Sequence, residues 1–66
     1  MKLFIVKGEV TDADVADIFS GLIDTEVSVG DPEYRVMDDV DNPSFSIDFP
    51  TLEMARANFP GAEIVE

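Results

Sequence analysis

The spacing of apolar residues along this chain switches between a period of two and a period near 3.6, and each switch marks an element. The clearest stretch is residues 43–66, PSFSIDFPTLEMARANFPGAEIVE. Phe45, Ile47 and Phe49 alternate with Ser44, Ser46 and Asp48, which gives a strand one apolar side and one wet side. Pro50 ends that ladder. Thr51 is placed as an N-cap whose hydroxyl accepts a free first-turn amide, and Leu52, Ala55 and Phe59 follow at helical spacing. Asn58, Pro60 and Gly61 close the helix, after which residues 62–65 are apolar enough to return as a strand.

Earlier in the chain, residues 2–10 predict a strand with Phe4, Val6 and Val10 on one face and Leu3 and Ile5 on the other. Apolar residues on both faces place it centrally in a sheet, and Gly8 marks a bulge or a close approach to a neighbour. Thr11 then reads as an N-cap with Asp12 and Asp14 in the first turn, where exposed amides favour negative charge. Val15, Ile18, Phe19 and Leu22 fit the i, i+3, i+4, i+7 template of a buried stripe, with Asp14, Asp17 and Gly21 facing away and Asp24 at the helix exit. Residues 26–29 and 33–37 both alternate like strands around Gly30, Asp31 and Pro32, so they form either a hairpin or one strand and a loop. Asp38, Asp39, Val40, Asp41, Asn42 and Pro43 are turn chemistry.

In order, these elements describe an α+β chain: strand, helix, one or two strands, strand, helix, strand. The expected architecture is a ferredoxin-like, split βαβ sandwich, two helices on one face of a mainly antiparallel sheet of four or five strands, with residues 1–66 as a single compact domain. Right-handed crossovers put the first strand in the centre and residues 62–66 at an edge, where Glu63 and Glu66 discourage edge-to-edge pairing. Phe4, Phe19, Phe45, Phe49 and Phe59 supply the aromatic core, joined by Leu3, Ile5, Val6, Ile18, Leu22, Ile47 and Ile64, with Met37 and Met54 filling gaps. A domain this small buries only about 60% of the surface its unfolded chain exposes, so little of that set can be spared.

Composition removes several kinds of chemistry. The chain has neither cysteine nor histidine, so disulfides and the usual zinc, copper and iron sites are not available, and no serine has a histidine to activate it. Paired carboxylates can do acid–base work, but a chain of this length hardly forms a cleft for a sugar. The expectation is therefore a non-enzyme without a cofactor. Asp39 and Asp41 have the D-x-D spacing of a calcium loop, yet such a loop needs glycine where Ser44 stands and glutamate where Pro50 stands. No apolar run is long enough to span a bilayer or to serve as a signal peptide, which makes the cytoplasm the default location, that of the host cell if the protein is viral.

Charge changes the picture most. Fifteen acidic against four basic residues give a net charge of −11, which repels nucleic acid and anionic membranes and attracts basic surfaces. Solvation alone accounts for a few units of charge; at this density self-repulsion costs stability. Adaptation to high salt, which screens charge within about 3 Å at 1 M, suits nine Asp, six Glu and two Lys. An inhibitor or interaction module accounts for the charge differently, by setting its acidic face against a partner's basic, nucleic-acid-binding surface. Carboxylates three or four residues apart on a helix lie about 5–6 Å apart, comparable to neighbouring phosphates. Asp14, Asp17 and Asp24 are the candidate contact residues on that reading, with Asp38, Asp39 and Asp41 as a second patch and the protein acting as a monomer or homodimer. Tyr34 and Arg35, types enriched at interface hot spots, sit in a strand that needs no such role, and an apolar edge strand is a further route to a partner's sheet.

In size, charge and lack of catalytic residue types the chain resembles the small acidic proteins that phages make to block host machinery, among them anti-CRISPR proteins, anti-restriction DNA mimics, glycosylase inhibitors and inhibitors of host RNA polymerase. The likeness is one of composition, so it implies a mode of action and carries over no functional residue. Halophile proteins share the same composition and imply no inhibitor function.

Overall fold

A computed structural model describes residues 2–65. Four strands and two helices follow one another as β1 (Phe4–Glu9), α1 (Ala13–Ile23), β2 (Pro32–Met37), β3 (Ser46–Phe49), α2 (Leu52–Asn58) and β4 (Glu63–Val65). The sheet runs β3-β2-β1-β4 and is mixed: β1 is antiparallel to β2 and parallel to β4, and β2 is antiparallel to β3. The first strand is central and the last lies at an edge, as its apolar pattern and the crossover rule anticipate. The split βαβ order is not matched. Strands β1 and β2, joined through α1, are direct neighbours instead of having another strand between them.

Alternation along the strands creates two unlike faces. On the first, Ile64, Ile5, Val36 and Ile47 line up across four strands, and Lys7, Tyr34 and Phe49 form the next rung. Ile5, Val36 and Phe49 are buried there beneath Ala55 of α2, with Leu52, Met54 and Phe59 packed around them. The Phe59 ring stands edge-on to both Phe49 and Phe45, at 6.0 and 6.1 Å between centroids, the geometry that aromatic quadrupoles favour. Thr51 caps α2 as its sequence position predicts, its hydroxyl accepting from the Met54 amide. Phe45, Ile47 and Ile64, expected in the core, stay about 40% exposed because they sit on or beside the two edge strands.

The first helix departs from the expected position. It does not join α2 on the sheet; it closes a second cluster of Val10, Ala16 and Phe19, with Val15 and Val27 against it. Its N-cap is Asp12, one residue after Thr11, with an extended backbone and a carboxylate that accepts from the Asp14 amide at 2.8 Å. Residues 26–29 form no strand. They belong to a loop fastened to the helix by Ser20, whose hydroxyl donates to the Ala16 carbonyl and accepts from the Val27 amide, each at 2.8 Å. The same loop is tied to the end of β1 by hydrogen bonds from Val10 N to Asp31 O and from Gly30 N to Val10 O. Turning Ser20 toward the loop turns Ile18 and Leu22 outward, and they are 62% and 56% exposed instead of forming the buried stripe. Gly8 introduces no bulge, because its register with Glu33 is continuous. Ala62 precedes β4, and Glu66 lies outside the described residues.

Two residues in this loop region adopt positive φ, and they predict opposite effects. Asp24, at the C-cap of α1, has φ 53°, and its negative charge sits at the carbonyl end of the helix. Replacing it with glycine, Asp24→Gly, is expected to stabilise the fold by about 0.5–1 kcal/mol by relieving both penalties. Gly30 has φ 97° with open space where a Cβ would stand, so the cost of Gly30→Ala is purely backbone strain, about 1–2 kcal/mol. Urea denaturation of both variants checks this pair; equal shifts of the same sign would show that local backbone conformation does not decide them.

Candidate protein-binding surface

Asp14 and Asp17 lie exposed on α1, one helical turn apart, and Asp24 is exposed at its end. From residue 11 to 31 the chain carries Asp12, Asp14, Asp17, Asp24, Glu26 and Asp31 and no lysine or arginine. Ile18 and Leu22 follow Asp14 at intervals of four, so the outer side of α1 presents an apolar row beside carboxylates. Helical spacing alone predicts Ile18 and Leu22 to lie inside; their exposure follows from the Ser20 contact, which no periodicity signals.

The second candidate patch has a different character. Asp38 accepts from the Ser44 hydroxyl at 2.6 Å and from the Ser44 and Phe45 amides at 3.0 and 3.1 Å. These bonds, the Ser44 hydroxyl foremost, hold its carboxyl below the ordinary aspartate value. Asp39 accepts from the Asp41 and Asn42 amides at 2.9 and 3.2 Å. Two of the three acids thus fold the turn between β2 and β3, while Asp41 contributes only an exposed side chain. Asp31 is similarly used, accepting from the Ser28 amide at 2.9 Å.

A cluster that sequence reasoning missed lies on the second face of the sheet. Arg35 donates from Nε to Asp48 Oδ1 at 2.7 Å and from Nη2 to Oδ2 at 3.5 Å, across the β2–β3 pair. Glu33, two residues back on the same face, is buried, with Oε1 3.9 Å from Arg35 Nη2 and with Oε2 lacking any hydrogen-bond partner among the described residues. Desolvation, then the nearby Asp48 charge, raise its carboxyl above the ordinary value against the opposing pull of Arg35, and a side-chain hydrogen bond with Asp48, which the protonated form makes, raises it further. Asp48 in turn keeps Arg35 firmly protonated. The alternation of residues 33–37 puts Glu33 and Arg35 on one face, but burial of Glu33 has no signal in a strand that starts with proline and glutamate. A recess of about 310 Å³ here is lined by Val6, Gly8, Glu9, Thr11, Glu33 and Arg35. On the first face, a groove of about 500 Å³ beside α2 is lined by Lys7, Tyr34, Leu52 and Ile64 among others.

No helix among the described residues is long and apolar enough to cross a membrane. Comparison with protein families, with curated proteins and with solved structures finds no match to this chain.

The two perturbed carboxylates give stability opposite slopes against pH. Glu33, raised in the folded state, takes up a proton on folding, so stability rises as pH falls from its raised value toward the ordinary one. Asp38, depressed in the folded state, contributes stability above the ordinary aspartate value that is lost as pH falls through its lowered one. Urea midpoints taken from about pH 7 to about pH 3 are expected to pass through a maximum. Glu33→Gln should raise the neutral-pH midpoint and remove the rise, and Asp38→Asn should remove part of the acid-side loss. A Glu33→Gln midpoint below wild type at neutral pH contradicts this account.

Proposed function

We propose that this protein is a small acidic protein-binding module, an inhibitor that occupies a basic, nucleic-acid-binding surface of a partner as a DNA mimic does. Phage anti-defence proteins such as anti-CRISPR inhibitors, and inhibitors that serve host takeover, act in this manner, which makes the host cytoplasm its place of action. The observation that carries the reading is the outer side of α1. There Asp14 and Asp17 flank the exposed Ile18 and Leu22 on a segment without a single basic residue. Solvation explains carboxylates on a surface but gives no reason to leave an apolar row among them, whereas an interface uses charge for steering and apolar side chains for residence. Asp24 extends the same surface, and Asp41, with the turn that Asp38 and Asp39 hold, supplies a second, smaller patch. Catalysis and direct binding of nucleic acid have no part in this reading.

A second reading has its own support. Asp12, Asp31, Asp38 and Asp39 each accept backbone amides, so part of the acidity serves the fold and asks for no partner. On that reading the chain is an acidic domain adapted to high salt, with no inhibitor role.

Capture from a lysate of the source organism, or of its host, with washes at low and high salt separates the two. The inhibitor reading expects one nucleic-acid-handling protein, retained at low salt and released at about 1 M, where screening acts within about 3 Å. Exchange of Asp14, Asp17 and Asp24 for lysine should slow association by about tenfold or more, and Ile18→Ser with Leu22→Ser should speed dissociation by a similar factor. Unchanged binding by both variants removes α1 as the contact; no partner at either salt leaves the high-salt reading standing.

A further inference from the structure

The recess around Glu33 holds a charge that the fold leaves incompletely answered. The Glu33 side chain is 8% exposed, and its Oε2 meets no donor among the described residues. The one cation beside it among the described residues, Arg35, donates to Asp48 from both Nε and Nη2 and reaches Glu33 only at 3.9 Å on the other oxygen. A buried carboxylate oxygen without a donor is a costly arrangement, and a cationic donor is the group that most fully offsets it. Summed locally, Glu9, Glu33 and Asp48 outnumber Arg35, so a second cation is electrostatically favoured.

We infer that this recess is a binding site for an organic cation, the ammonium or guanidinium end of a basic side chain, with the Glu33 carboxylate as its anchor. Its form suits that ligand. Apolar Val6 and Met37 line it along with the carboxylates, which matches a side chain whose methylenes pack while its head bonds. A divalent metal is the poorer occupant, because no three carboxylates converge among the described residues. Glu9 and Thr11 lead directly into the acidic helix, and a basic side chain seated at Glu33 would extend the α1 contact surface. That a protein partner supplies the cation rests on the function proposed above; the cation chemistry of the recess does not.

Isolated probes test the site without a partner. The folded protein is titrated with n-butylguanidinium and n-butylammonium chloride at constant ionic strength, following the Glu33 side-chain carboxyl and the Gly8 amide by NMR. Saturable shifts with Kd on the order of 1–10 mM are expected for fragments of this size. Glu33→Gln should abolish them. Gly8→Ala, whose added methyl would lie 3.8 Å from the Glu33 Cγ and so fits without a clash, should weaken them several-fold by narrowing the recess while leaving the carboxylate in place. Equal shifts from sodium chloride, shifts that persist in Glu33→Gln, or no saturation would each overturn the site. Capped tripeptides containing arginine or lysine decide the source: binding at least as tight as the free cations supports a partner side chain, and binding only of the free cations overturns that assignment in favour of a small amine. Failure of the probes with α1 variants still defective in capture would remove this site and leave the proposed function intact.

Discussion

The width of one short helix limits everything else in this fold. Strands lie about 4.8 Å apart and a helix with its side chains is about 10 Å across, so α2 can cover about two strands of the four. Beneath it Ile5, Val36 and Phe49 are buried against Ala55, while Ile47 and Ile64, on the two edge strands, stay 41% and 39% exposed. The second helix would complete the layer only if it lay beside α2. Because α1 connects β1 to its immediate neighbour β2, it is held instead at the Val10 end of the sheet with the loop that follows it. Val10 and Val27 are too few partners to bury a helix on all its apolar positions. Ala16 and Phe19 take the contact, and Ile18 and Leu22 are left for a surface.

Much of this was readable in the residues. Strands β1 and β3, both helices, the Thr51 cap, the Asp24 exit and the edge position of the last strand follow from spacing and capping chemistry. What the spacing could not carry was pairing. Residues 26–29 alternate as a strand should, but hydrogen bonds between Ser20 and Val27, between Ser28 and Asp31, and between Val10 and both Gly30 and Asp31 hold them as a loop. The rotation of α1 depends on the same contacts. The helical template counts apolar positions, and Ser20, a polar residue satisfied internally, displaced two of them.

Net charge alone does not distinguish one surface of this protein from another. The fold uses aspartate as a connector: Asp12 caps a helix, and Asp31, Asp38 and Asp39 pull turns together by accepting amides. Such bonds are shorter and stronger than neutral ones, which helps a small domain tolerate self-repulsion. Once those four are assigned, and Asp48 and Glu63 are paired with Arg35 and Lys2, the carboxylates without a structural task are fewer. Asp14, Asp17, Asp24 and Glu26 lie on and after α1, the first two beside the exposed Ile18 and Leu22, while Glu9, Asp41 and Glu53 are scattered elsewhere. This concentration, rather than the total of −11, distinguishes one surface from the rest.

Glu33 stands apart from both groups, since it folds no turn and its side chain is largely buried with Oε2 unpartnered among the described residues. A residue serving stability alone would be improved by its pairing, yet burial raises this carboxyl and Arg35 spends its best donors on Asp48. Glutamine at this position would remove the buried charge and keep the shape. A stability gain coupled to a loss of ligand is the signature of a group placed for binding, because desolvation that costs the free protein is what strengthens its attraction for an incoming cation. If the gain came without a loss of ligand, Glu33 would be a tolerated defect of the sheet. The same substitution therefore separates a functional carboxylate from a structural one, and it does so without knowledge of the partner.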